Sequence, residues 1–374
     1  MLYLDNAATT PVRAEVLEAM APFLGPAFGN PSSHHTVGEQ AAAALENARE
    51  RVARILGMRT GDVIFTSGGT EANNLAIKGI VLASSRSHVV TTPIEHESIL
   101  QSVSYLERFH GVTATHVPVD AHGQVGADAV GAALRADTAL VTLGHANNEI
   151  GTVQNIAAIA ERTRAAGVPL HVDAVQSAGW LPLQGLGADA ISLAGHKLGA
   201  PKGTGVLAVR GRVPLEPLIH GGGQERGRRS GTENVAGAVG FAVALELAES
   251  EREAASARLT VVRDAFIAGV LAQVPQARLT GHPSERLPGT ASFTFGGVSG
   301  ESVLLELEHR GIVSSSGSAC AAGSDEPSHV LVALGIAPEI AQTSVRFTLG
   351  KAALPDPAAL AAHVSAAVTA VTRQ

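Results

Sequence analysis

Cysteine is almost absent: the 374 residues contain one, Cys320. A single thiol excludes an intrachain disulfide and any zinc or iron–sulfur site built from several cysteines of one chain, and it suits a reducing compartment. Aromatic residues are also scarce, with 9 Phe, 2 Tyr and 1 Trp, so the core must be built mainly from aliphatic side chains and Ala. Charge is low: 27 Lys and Arg against 34 Asp and Glu give a net of −7, and only 16% of residues are charged. That balance offers no general attraction to a nucleic-acid backbone or an anionic lipid surface. No apolar run approaches the roughly 18 residues of a membrane span. The opening Met1-Leu2-Tyr3-Leu4-Asp5-Asn6 has neither a basic region nor an apolar stretch of leader length. The expectations are therefore a cytoplasmic protein with no membrane and no nucleic-acid partner.

The length fits two domains at about 150 residues each. Apolar types make up 45%, and the 41 Gly and 18 Pro are scattered between periodic segments, which is the pattern of a globular chain. Between residues 40 and 210, short apolar runs alternate with Ala-rich helical stretches. Val63-Ile64-Phe65-Thr66 reads as a strand and is followed by Ser67-Gly68-Gly69-Thr70 and a helix from Glu71 to about Leu82. The same rhythm recurs at His88–Thr92, Ala139–Leu143 and Pro169–Asp173. This alternation predicts an α/β fold with a mainly parallel sheet, whose ligands gather at the carboxyl ends of its strands. A long helix from about Val235 to Leu271 leads into the remainder, which holds a strand at Ala291–Phe295, a small-residue loop around Cys320 and a closing Ala-rich helix.

Four constellations could carry chemistry. The Ser67–Thr70 turn between strand and helix leaves backbone N–H groups free for an anion, although such turns often only connect elements. Asp173 and Gln176 end one apolar strand, and Lys197 follows the next in Gly195-His196-Lys197. Taken singly, Lys197 reads as a solvated lysine and Asp173 as a helix cap. If the two strands are neighbours, however, a carboxylate and an amine converge beside a phosphate turn. That is what pyridoxal 5'-phosphate needs: an amine for imine formation and an acid to keep its ring nitrogen protonated. His96, in Glu95-His96-Glu97-Ser98, could lie on an aromatic cofactor and move protons near neutral pH. Cys320 sits in Ser314-Ser315-Ser316-Gly317-Ser318-Ala319-Cys320-Ala321-Ala322-Gly323-Ser324, a run too poor in apolar side chains to bury the thiol, so it reads as an accessible nucleophile. The 15 His show no metal-ligand spacing, and no metal is expected.

Seven stretches together resemble the cysteine desulfurases of the nitrogen-fixation and iron–sulfur-cluster branch, in the class V aminotransferase group of fold-type I pyridoxal phosphate enzymes. They are Tyr3–Pro11, Phe28–Ser33, Asn147-Asn148-Glu149-Ile150-Gly151, His171–Ser177, Gly195-His196-Lys197, Arg229-Ser230-Gly231-Thr232 and Ser315–Cys320. The resemblance implies a large cofactor-binding domain over residues 15–250, with a mainly parallel, seven-stranded-type sheet flanked by helices. A smaller α+β domain would be made of residues 1–14 and 251–374 and carry the Cys320 loop. It implies that Lys197 bonds the cofactor, Asp173 pairs with its ring nitrogen, Gln176 binds its phenolic oxygen and His96 stacks on it. Gly69, Thr70 and His196 would hold the phosphate, with Thr232 contributed by the partner subunit of a homodimer. Asn147 would lie beside cofactor and substrate, and Arg346 would bind the substrate carboxylate. The implied activity removes sulfur from L-cysteine as a persulfide on Cys320, releases L-alanine and hands the sulfur to an acceptor such as an iron–sulfur scaffold. One departure is Ala194, where the family usually has Ser. Two alternatives differ in their need for Cys320 or for the cofactor residues: a selenocysteine lyase or related aminotransferase, and a catalytically silent partner subunit in sulfur transfer.

Overall fold

The computed structural model describes residues 1–316, 326–351 and 355–373. In chain order the first elements are β1 (Leu2–Tyr3), α1 (Ala14–Leu24), α2 (Thr36–Leu56), β2 (Val63–Thr66), α3 (Gly69–Leu82), β3 (His88–Thr91), α4 (Glu97–His110) and β4 (Thr113–His116). There follow α5 (Ala127–Ala133), β5 (Thr138–Gly144), α6 (Ile156–Ala165), β6 (Leu170–Asp173), β7 (Ala190–Ala194), β8 (Gly205–Val209) and α7 (Val235–Gln273). The chain closes with β9 (Ala277–Leu279), β10 (Thr290–Phe295), α8 (Gly300–His309), β11 (Ile312–Val313), α9 (His329–Ala333), α10 (Pro338–Ala341), β12 (Ser344–Thr348) and α11 (Pro357–Thr372).

Seven strands form one sheet in the order β2-β8-β7-β6-β5-β3-β4. Strands β3, β6, β7 and β8 are buried along their whole length, as expected where helices cover both faces. Neighbouring residues of a strand point into different cores: Val89 joins α3 and α4 in one, while Val90 joins α2 and α6 in the other. All pairings are parallel except those of β8, which runs antiparallel to both β2 and β7. The reason is its short connection: between β7 and β8 the chain makes only the single helical turn Gly195–Lys197, too little for the helical crossover that a parallel neighbour requires.

The chain moves from β3 outward to β4 and then returns to place β5 on the other side of β3. Strand order therefore reverses between β3 and β5, and the loops beyond their carboxyl ends splay apart to leave a crevice. Local caps fix where those loops end. His96 begins α4 by accepting from Ser98 N, and Gly111 ends the helix at φ 65, a conformation that costs glycine little.

A second layer packs α7, α8 and α11 on a three-stranded antiparallel sheet of order β12-β10-β9. Its core holds Phe266, Phe293, Phe295 and Phe347, four of the five buried phenylalanines, with Phe266 edge-on to Phe293 and Phe347. Helix α7 belongs to both layers. Its residues from Ala236 to Ala248 lie in the core under the large sheet, those from Leu259 to Val270 lie in the second core, and the polar Glu249–Glu253 turn separates them. The N-terminus also ties the layers together: β1 pairs with β11, Asp5 bridges to Thr348, and Thr10 N donates to His196 O at 2.9 Å.

Candidate active site

A cavity of about 300 Å³ opens at the carboxyl ends of the large sheet. That volume lies at the small end of the range for small-molecule sites. Its wall is drawn from loops far apart in sequence, including Ala7, Ala8, Gly69, Thr70, Glu95, His96, Asn147, Asp173, Gln176, His196, Lys197 and Arg346. Nine of the expected site residues are therefore brought together. Thr232 is not among them: it is exposed and lines a separate cavity of about 190 Å³ with Glu225 and Arg229. Cys320 lies outside the described residues.

The convergence follows from strand register. Asp173 ends β6 opposite Ser192 of β7, and Lys197 occupies the turn after β7, so carboxylate and amine meet at one sheet edge. Asp173 is 9% exposed and held at both oxygens: Oδ1 accepts from Val175 N at 2.9 Å and Oδ2 from Asn73 Nδ2 at 2.7 Å. Asn73 comes from the buried face of α3 and donates from the same nitrogen to Ser98 Oγ at 2.9 Å. Ser98 Oγ lies 2.8 Å from His96 Nδ1, to which Ser98 N also donates at 3.0 Å. A backbone N–H can only donate, so Nδ1 carries the lone pair and the neutral ring holds its proton on Nε2.

Lys197 Nζ donates to the carbonyl oxygens of Ala7 and Ala8, the latter at 2.6 Å, and Gln176 Nε2 donates to Ala7 O at 3.0 Å. The N-terminal segment thus closes the cavity over both side chains. His196 sits beside Thr9, Nδ1 to Oγ1 at 3.2 Å. Burial and the nearby Lys197 and Lys202 push the imidazole of His196 down to about 4, so it is uncharged at neutral pH. Arg346 is 1% exposed; Nη1 donates to Asn148 O at 2.9 Å and Nη2 to Asp5 Oδ1 at 2.7 Å, while its buried Nε has no partner among the described residues.

The residues present fit pyridoxal phosphate. Gly69 opens α3 where backbone N–H groups are unpaired, and a Cβ there would come within 2.8 Å of Val175 Cγ2, so the bare backbone is needed for this close approach. An anchored carboxylate, an amine and a neutral histidine line the same space, together with Arg346. Ala194 lines the cavity with a methyl group and offers no hydroxyl there.

Sequence reading did not find Asn73, Glu95 or the carbonyls of Ala7 and Ala8. For Asn73 a signal existed: it is a polar residue in the buried stripe with Ala72 and Ala76 of a helix. The carbonyls have no side-chain signature at all.

The model of the family described as aminotransferase class-V matches residues 2–353. A protein of Dictyoglomus turgidum named cysteine desulfurase IscS is 46% identical over 353 residues, which cover 93% of this chain and 89% of that relative. One of Methanosarcina thermophila with the same name is 46% identical over 354 residues, 94% of this chain and 87% of that relative. Among solved structures, a NifS-like protein superposes with a TM-score of 0.91 at 34% identity, covering 100% of both chains. A structure titled SspA in complex with cysteine superposes with a TM-score of 0.82 at 36% identity, covering 93% of this chain and 99% of that one.

Proposed function

The chain belongs to the aminotransferase class-V family, and on that premise we propose that it is a cytoplasmic cysteine desulfurase. It removes sulfur from L-cysteine, releases L-alanine and passes the sulfur on for iron–sulfur cluster assembly and other thio-cofactors. The observation that carries this reading is the meeting of Lys197, Asp173, Gln176 and His96 around one cavity at the α3 turn, in a chain 46% identical to proteins named for this activity.

Pyridoxal 5'-phosphate, when bound, supplies an electron sink conjugated to the amino carbon of the substrate. Gly69, Thr70 and His196 would hold its phosphate end, with Thr232 contributed by the partner subunit of a homodimer. Asp173, held by Val175 N and Asn73, would pair with the ring nitrogen. Gln176 would bind the phenolic oxygen, His96 would stack on the ring and Asn147 would lie beside it, all three lining the cavity. Lys197 Nζ would hold the cofactor covalently and serve as a base when neutral; its donations to Ala7 O and Ala8 O keep it at the cavity. Arg346, fixed by Asp5 and Asn148 O, would bind the substrate carboxylate, with one N–H of each Nη left over by those two contacts.

Sulfur leaves by attack of the Cys320 thiolate on the sulfur of L-cysteine. An S–S bond forms, the C–S bond breaks with its electron pair left on carbon, and a proton delivered to that carbon completes L-alanine. The persulfide is then open to an acceptor protein such as an iron–sulfur scaffold.

The test is alanine release from L-cysteine in the presence of a thiol reductant, for the wild type and for Lys197→Ala. The wild type should be yellow and release alanine and sulfide in equal amounts, while Lys197→Ala should lose activity by at least about 1000-fold, since it removes both the anchor and the base. A yellow wild type that turns over no L-cysteine would overturn the reading.

A further inference from the structure

The loop that carries His96 is not held by its own helix alone. Glu95, the residue before it, is 6% exposed and lines the cavity, yet none of the roles above uses it. Its Oε2 accepts from Gly144 N at 2.6 Å, at the end of β5, and its Oε1 accepts from Thr92 Oγ1 at 2.5 Å, just past the end of β3. The reverse contact is made three residues beyond Gly144: Asn147 Nδ2 donates to Ile94 O at 2.8 Å. Asn147 Oδ1 accepts from Glu149 N at 2.9 Å and from Ile150 N at 3.1 Å, so this amide is committed to shaping its own loop. Each loop thus sends one side chain to the other loop's backbone, across the crevice between β3 and β5.

We propose that Glu95 and Asn147 form a reciprocal clamp that locks the His96 loop to the end of β5, which makes Glu95 a positioning residue for the reaction. The strand ends explain why a clamp is needed there, because the pairing of β3 with β5 stops at Val90 and Val141 and leaves the two loops beyond without ladder bonds between them. His329 Nε2 adds a third brace, donating to Glu95 O at 3.0 Å from the start of α9. Burial pushes the Glu95 carboxyl up to about 7, with Asp173 adding to the rise, and Thr92, Gly144 N and His96 opposing it. A neutral amide is therefore a fair replica of its shape and hydrogen bonding: glutamine can accept from Gly144 N and donate to Thr92 Oγ1.

The catalytic consequence rests on the role proposed above for His96; the clamp itself does not. The experiment compares wild type, Glu95→Ala and Glu95→Gln. In cofactor-free protein, amide hydrogen exchange is followed in peptides spanning residues 92–98 and 144–150. Glu95→Ala should exchange at least tenfold faster in both, with the interior of β5 unchanged, and Glu95→Gln should stay within threefold of wild type. In loaded protein, Glu95→Ala should lower kcat for L-cysteine at least tenfold with KM within threefold, and shift the pH midpoint of the visible band; glutamine should restore both. If Glu95→Ala does not accumulate folded, Thr92→Val carries the exchange test, with about a threefold acceleration expected. Unchanged exchange in Glu95→Ala, or a Glu95→Gln protein as impaired as the alanine variant, overturns the clamp. A wild type inactive on L-cysteine overturns the function and leaves the exchange result to decide the clamp by itself.

Discussion

At the scale of single residues, the site depends on polar groups buried under the cavity as much as on those lining it. His171 lies two residues before Asp173 on β6 and is fully buried between Thr142 Oγ1 and Ser192 Oγ, both at 2.8 Å. Burial pushes its imidazole down to about 3. The sign of the linkage follows: above the ordinary value of about 6.5 both folded and unfolded chains carry a neutral ring, and below it only the unfolded chain takes up the proton. His171 therefore makes the protein lose stability as pH falls from 6.5 toward 3, by at most about 1.4 kcal/mol per pH unit. Glu95, pushed up to about 7, acts in the opposite sense, since its stability contribution declines as pH rises through 4.5 to 7. Replacing His171 by Asn should reduce the stability lost between pH 7 and pH 5, measured by urea unfolding of cofactor-free protein, by roughly 1–2 kcal/mol relative to wild type. An identical pH slope in the two proteins would show that the folded ring takes up its proton over the same pH range as the unfolded one. Lys197, Asp173 and Gln176 were legible in the sequence because each ends an apolar run with a reactive type. Their supports were not: Ala7 and Ala8 act through main-chain oxygens, and Glu95 was visible only as the neighbour of His96.

At the scale of elements, the strand–turn–helix unit β2–α3 carries the anion end of the site. Gly69 leaves room for Val175, whose N–H in turn anchors Asp173, so one missing methyl group connects the turn to the carboxylate. Gly69→Ala should weaken pyridoxal phosphate binding at least tenfold, equivalent to about 1.4 kcal/mol, while the cofactor-free protein changes in stability by no more than about 2 kcal/mol. Equilibrium dialysis of the cofactor checks it, and an unchanged affinity would place the phosphate elsewhere. Most elements were legible: Val63–Thr66, the helix after Gly69, His88–Thr91 and the long helix from Val235 all appear where periodicity placed them. Strand β8 was missed. Gly205–Val209 is a short apolar run whose pattern does not distinguish it from its parallel neighbours, and its reversed direction is dictated by the connecting turn rather than by its own residues.

At the scale of the whole molecule, two layers share one helix and one strap. We propose that residues 15–250 and the combined segments 1–14 and 251–374 are separate units meeting in α7, whose apolar stripe changes partners at Glu249–Glu253. The strap from Leu2 to Thr10 pairs with β11 and Thr348 on one side, and reaches Lys197, Gln176 and His196 on the other. This arrangement brings Arg346 of the second layer to the wall of a cavity built on the first. Strand β10 was legible at Ala291–Phe295, whereas β12 was not read as a strand, and the pairing of the two is long-range and carries no local signature.

Lys197 follows a strand of the first layer, Cys320 lies outside the described residues, and the proposed sulfur transfer requires both. The most direct measurement is the intact mass of the purified, cofactor-loaded protein after incubation with L-cysteine without reductant, for the wild type and Cys320→Ser. The expected result is a gain of one or more sulfur atoms in the wild type, removed by a thiol reductant, and none in Cys320→Ser. A gain of sulfur that persists in Cys320→Ser, or alanine formation with no sulfur retained by the wild type, would contradict a persulfide-forming desulfurase.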